Sequence, residues 1–120
     1  MRKVSKKRAK LMREAKEWRA NFVKYADCCD ICGAMPHLVH EIARGIHREN
    51  ALMAPYAILA LCTLCHDREI HGREEWPIPK QLAALYRSRP DDYDLDRFNQ
   101  LRGRVNITQG MVDDFLSDPS

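Results

Sequence analysis

Leu11, Ala15, Trp18 and Phe22 recur at alternating intervals of four and three, with Tyr25 continuing the stripe and basic residues around it. That period gathers them on one face of an amphipathic helix over 5–25, its stripe docked on the body of the protein. Trp18 and Phe22 then read as core anchors rather than as platforms for stacking bases. A short apolar run, 38–42 (Leu-Val-His-Glu-Ile), predicts a strand, and a second, 57–61, is too short for a helix and predicts its partner. Between them, 45–55 reads as a polar loop with a helical turn at 49–53. Residues 62–71 predict a helix ended by Gly72. Trp76-Pro77-Ile78-Pro79 is a rigid connector, with Pro79 at the first helical position of a helix over 80–87 that Pro90 terminates. Asp94 is the expected N-cap of a helix over 95–102 with Gly103 at its C′ position, and Thr108 the cap of a last helix through Leu116. The fold class expected is α+β, mainly α. A basic helical arm (1–25) precedes a β-β-α core (26–75), and a helical extension (76–120) follows.

At 45% hydrophobic and 31% charged residues over 120 positions, the composition is that of one globular domain with extensions. No stretch approaches a membrane-spanning length of uncharged apolar residues, and the basic start is followed by no apolar segment of the secretory type. A soluble, cytoplasmic protein without a membrane partner is expected.

Charge changes this picture. Residues 1–24 hold ten Lys and Arg against Glu14 and Glu17, a net +8, while the remainder holds ten basic against fifteen acidic residues, so that the whole chain is +3. An arm of this kind seeks a polyanion, because neutralising phosphates releases condensed counterions. Lys3, Lys6, Lys7 and Arg8 are its candidate DNA contacts. The acidic group Asp91, Asp92, Asp94 and Asp96 is better explained by the helix dipole than by a metal.

Five cysteines in a cytosolic setting argue against a disulfide framework, and their placement argues for a metal. Cys29 with Cys32, and Cys62 with Cys65, form two Cys-x-x-Cys pairs, each presenting both sulfurs to one side as tetrahedral Zn²⁺ requires. Gly33 supplies the permissive turn of the first pair. Cys28 is left over, as a free thiol or an alternative ligand.

Around these pairs sit His40, Glu41, Asn50, His66 and His71. The order Cys29-Asp-Ile-Cys32, Val39-His40-Glu41-Ile42, Leu61-Cys62-Thr-Leu-Cys65-His66-Asp67 and Ile70-His71-Gly72 resembles the HNH endonucleases, particularly those carried by bacteriophages. The basic lead-in, the Gly45…Arg48 spacing and the Trp76-Pro-Ile tail add to a resemblance that covers roughly residues 8–104. It implies a ββα-metal core with a structural Zn²⁺ on the four cysteines. It also implies cleavage of DNA phosphodiester bonds with a catalytic divalent ion, Mg²⁺ or another such as Mn²⁺ or Ni²⁺. A phage setting would bring phage packaging proteins as further partners.

On this resemblance His40 is the central catalytic histidine with Glu41 assisting, and His66 and His71 are ligands of the catalytic ion. Two alignments remain open. Ungapped matching puts His40 at the metal-ligand position and Glu41 at the base position, and a shift of one residue makes His40 the general base. Successive strand residues face opposite sides, so one of the two points into the cleft. A five-residue step from His66 to His71 turns them about 140° apart on an α-helix, where residues advance ~100° each, so His71 contributes only if the helix breaks or loosens. Asn50 is a candidate for orienting the base loop. Arg44 and Arg48 are candidates for the scissile phosphate, since guanidinium forks match phosphate oxygens. The rival class is a catalytically silent zinc-finger-like DNA-binding or assembly module, which needs neither His40 nor His66. A thiol oxidoreductase lacks its βαβ context.

Overall fold

The computed structural model describes residues 6–42, 52–72, 75–102 and 107–117. The molecule is mainly helical with one small two-stranded antiparallel sheet. Helix α1 spans Lys6–Tyr25, strand β1 Leu38–Glu41 and strand β2 Ile58–Leu61. A π-helix, Cys65–Ile70, follows β2, and three α-helices complete the chain: α2 (Ile78–Ser88), α3 (Leu95–Arg102) and α4 (Gln109–Leu116).

The two strands pair with Leu38 opposite Leu61 and His40 opposite Leu59. Flanking bonds from His37 N–H to the Leu61 carbonyl (2.8 Å) and from Ile42 N–H to the Ala57 carbonyl (2.9 Å) lengthen the ladder at both ends. All four residues of β2 are buried, because one face meets β1's side of the core and the other meets the helices. The continuous apolar run Ile-Leu-Ala-Leu is what such a doubly covered strand needs.

Leu59, Leu61, Ile70, Leu82, Leu85, Phe98 and Val112 form one core that joins the sheet, the π-helix and all three C-terminal helices. Helix α2 is its axis, buried from Gln81 to Leu85. It begins earlier than the sequence suggests, capped by Pro77, with Pro79 at its second position. Asp94 accepts from Arg97 N–H at 3.1 Å and Thr108 Oγ1 from Met111 N–H at 3.3 Å, so both expected caps are in place.

Helix α1 differs from the expectation of a docked stripe. Only Ala15 is buried along its length, Trp18 and Phe22 are half-buried and stacked on each other at 5.3 Å, and Tyr25 is 76% exposed. Among the described residues no helix is long and apolar enough to cross a membrane.

A buried ion pair ties the cysteine region to α2. Asp30, 6% exposed, accepts from Ala60 N–H (2.7 Å), Ser88 Oγ (2.6 Å) and Arg89 Nε (3.2 Å). Arg89 also donates to the carbonyls of Ile58 (2.6 Å) and Pro55 (3.3 Å) and to Asp92 (2.6 Å). Its guanidinium lies 4.9 Å from the centre of the Phe22 ring.

Candidate metal centres

The four cysteines of the two pairs lie with their sulfurs within 4.8 Å of one another. The first pair is shaped by its backbone: Gly33 N–H donates to the Cys29 carbonyl (3.0 Å) and Cys29 N–H to the Ala34 carbonyl (2.6 Å). Gly33 takes φ = 81°, a conformation that a side chain at Cβ disfavours. The second pair follows directly on the end of β2. Cys65 N–H points at Cys62 Sγ at 3.4 Å and His66 N–H at the Cys62 carbonyl at 3.1 Å.

Cys32 and Cys62 sulfurs stand 3.6 Å apart. A disulfide would bring them to about 2.0 Å. Sulfurs on a tetrahedral ion at ~2.3 Å are about 3.8 Å apart, which is close to what is found. Burial acts upward on the Cys29 thiol, but backbone N–H groups of Cys32, Cys62 and Ile31, with the Cys32 thiol, outweigh it and bring its pKa down to about 7. Burial and then the neighbouring thiols push Cys65 well up. The four sulfurs together are a group able to bind a metal such as zinc. Cys28 stands outside it, half-buried.

A second group lies one residue further along. Ring nitrogens of His40, His66 and His71 fall within 4.8 Å of one another, and the rings meet edge-on with centres 4.6–5.5 Å apart. Nitrogens bound at ~2.1 Å to one tetrahedral ion are roughly 3.4 Å apart, so a small inward rotation of the rings would suit them to one ion. His40 is 5% exposed, His66 half-buried and His71 exposed, so the group is a cup closed at β1 and open to solvent at the end of the helix. Three histidines with an open side are a donor set that leaves room for a water or a substrate oxygen.

The π-helix is what joins His71 to His66. Its hydrogen bonds run between residues five apart, and His71 N–H donates to the His66 carbonyl at 3.1 Å. The five-residue step that would separate the rings on an α-helix therefore superposes them here. The turn closes on Gly72, where any Cβ would collide with the Arg68 carbonyl. The loosened helix that the sequence made a condition for His71 is thus present.

Glu41 is not part of the histidine group. It extends to the other side of β1 and meets Arg19 of α1 at 3.0 Å, while Arg19 also donates to the Val39 carbonyl at 3.4 Å. Lys6, Lys7 and Arg8 occupy the exposed first turns of α1. Lys3, Arg44, Arg48 and Asn50 lie outside the described residues. Asp92 and Asp94 of the acidic group serve as partner of Arg89 and as helix cap, in keeping with the dipole reading.

Sequence reasoning missed Gln81. This residue is 2% exposed, and its amide oxygen lies 2.8 Å from His40 Nε2 while its amide nitrogen donates to the Trp76 carbonyl at 2.9 Å. The one signal for it was a Gln set on the apolar stripe of α2 with Ile78, Leu82 and Leu85.

Comparison of the chain with protein-family models, with curated proteins and with solved structures gives no match in any of the three.

Proposed function

We propose that the protein is a metal-dependent DNA endonuclease of the HNH type, with zinc on Cys29, Cys32, Cys62 and Cys65. The observation that carries this reading is the meeting of His40, from a strand, with His66 and His71, from the helix that grows out of the second cysteine pair. A structural zinc site alone has no use for a second, solvent-open group of three imidazoles beside it. A divalent ion held there would stabilise the charge that develops on a phosphodiester under attack by water, and would ease the deprotonation of that water.

The chain's own residues divide the remaining work. His40, buried and fixed, fits a metal-ligand role better than that of a base exchanging protons with solvent. His66 is steadied by Asp67, whose carboxylate lies 3.3 Å from its Nδ1. His71 closes the third side. The lysines and arginines of α1 supply phosphate contacts that hold duplex DNA without reading its sequence. Bacteriophage origin and packaging proteins as partners belong to the same proposal and rest on the resemblance.

The test is plasmid nicking by zinc-loaded protein, wild type beside His40→Ala, with Mg²⁺, Mn²⁺ or Ni²⁺ and with chelator as control. Nicking by the wild type, lost in His40→Ala at unchanged fold and zinc content, is the expected result. Full activity in His40→Ala would refute the assignment. Two silent proteins that still shift DNA at low salt would replace it with a binding module.

A further inference from the structure

We infer that Gln81 is a positioning residue for the histidine group: its amide sets the tautomer of His40 and thereby the nitrogen that His40 turns toward His66 and His71. The inference rests on reading the three histidines as a metal site.

The orientation of the amide is fixed from its far side. Gln81 Nε2 lies 2.9 Å from the Trp76 carbonyl, which only accepts, so the nitrogen must face it. The reverse orientation would set two oxygens against each other. The amide oxygen therefore faces His40 Nε2 at 2.8 Å, and an oxygen there requires Nε2 to carry the hydrogen. In neutral imidazole one nitrogen holds the proton and the other the lone pair, so the lone pair falls on Nδ1.

Both partners are buried, at 2% and 5% exposure, so water competes poorly for either bond. Gln81 sits on α2, which the core holds from Leu82 to Leu85, and its own N–H donates to the Pro77 carbonyl at 3.2 Å. A relay thus runs from the Trp76 carbonyl through Gln81 to His40, linking the connector before α2 to β1. Ligating histidines commonly donate their second N–H to such an acceptor, which fixes the ring and raises its basicity. Gln81 fills that place with a neutral amide and no added charge.

The experiment uses the full chain loaded with zinc, as wild type and as Gln81→Leu, Gln81→Glu and His40→Ala. Side-chain ¹⁵N spectra read the histidine tautomers before a second metal is added, and calorimetric titration with Ni²⁺ then reads the affinity of the histidine group. The wild type should show His40 protonated on Nε2. Gln81→Leu should lose the single tautomer and bind Ni²⁺ about 10–100-fold more weakly. Gln81→Glu, which keeps an acceptor for Nε2 but sets its other oxygen against the Trp76 carbonyl, should keep that tautomer and bind Ni²⁺ more tightly than Gln81→Leu, with a lower melting temperature than the wild type.

A wild-type His40 protonated on Nδ1, or Ni²⁺ bound as tightly by Gln81→Leu as by the wild type, would overturn the inference. The wild-type spectrum gives that answer even if Gln81→Leu does not fold. Ni²⁺ binding that is lost in His40→Ala, in a protein that nicks no plasmid, would refute the nuclease reading and leave Gln81's role standing. A wild type that binds no Ni²⁺ beyond its zinc would overturn the metal-site reading and this inference with it.

Discussion

Strand β1 turns His40 inward to Gln81 and sends Glu41 outward to Arg19, because neighbouring side chains on a strand leave from opposite faces. Two adjacent polar residues thus enter unrelated networks, and each network has its own cost of disruption. The more demanding pair is Asp30 with Arg89, whose side chains are 1% and 17% exposed. Removing the cation from such a pair leaves a buried carboxylate without its counter-charge, a loss of about 3–5 kcal/mol. Arg89→Ala should therefore lower the urea midpoint by an amount of that order, or prevent folding, while Arg87→Ala, at a more exposed site, should cost much less. Equal midpoints for Arg89→Ala and the wild type would show that the pair is dispensable. The cysteine positions were legible in the sequence because a Cys-x-x-Cys spacing delivers two sulfurs to one point whatever surrounds it. Gln81 was not legible, because its role exists only once α2 has packed against β1, 41 residues away in the chain.

At the scale of elements the decisive piece is the π-helix Cys65–Ile70. It keeps two pairs on a common side: Cys65 with Ile70, both buried, and His66 with His71. Asp67, Arg68 and Glu69 lie between them and are exposed. Deleting one of these three would convert each five-residue step into a four-residue step, and residues four apart share a face of an α-helix. Deletion of Glu69 should accordingly leave zinc content, cooperative melting and Ni²⁺ binding close to those of the wild type. Gly72→Ala, a far gentler change on paper, should do more harm, since its methyl meets the Arg68 carbonyl and forces the end of the turn to move. Overpacking of this kind costs typically ~1–3 kcal/mol. Thermal melts and Ni²⁺ titration of the two variants would check the order, and a Gly72→Ala protein as sound as the wild type would contradict it. The sequence placed a helix over 62–71, ended by Gly72, where the π-helix Cys65–Ile70 lies, and its α-helical periodicity misjudged the rotation within. Apolar spacing over six residues does not separate the two helix types, and the backbone collision that enforces Gly72 is a fact of the folded turn.

For the whole molecule, the sheet, the C-terminal helices and Cys29, Cys62 and Cys65 share one core, so with zinc bound the cysteines would be a condition of the fold. Cys62→Ser should leave the chain unfolded or molten, since metal binding in a small domain is folding free energy. Acidification should weaken zinc binding for the same reason, because the thiols must shed protons to ligate. A soluble Cys62→Ser protein that melts cooperatively without zinc would refute this. The basic arm acts on a longer range. Removal of residues 2–10 takes away six of its cations and should both weaken DNA binding and flatten the dependence of log K on log salt, by up to ~0.9 for each phosphate no longer neutralised. An unchanged slope would assign the arm another partner.

The last cysteine of one group and the first helical histidine of the other, Cys65 and His66, are successive residues. One peptide bond therefore joins a group of soft sulfur donors to a group of borderline imidazole donors. If zinc binding folds the chain, the imidazoles would converge only once the thiolates have drawn the end of β2 against the first knuckle. On the proposed function occupancy would be hierarchical: the soft site would fill as the chain folds, and only afterwards would the second offer a berth of its own selectivity. A chain refolded in Ni²⁺ alone and a zinc-folded chain given Ni²⁺ later would share a sequence and differ in history, the first with its metal lodged in the wrong place.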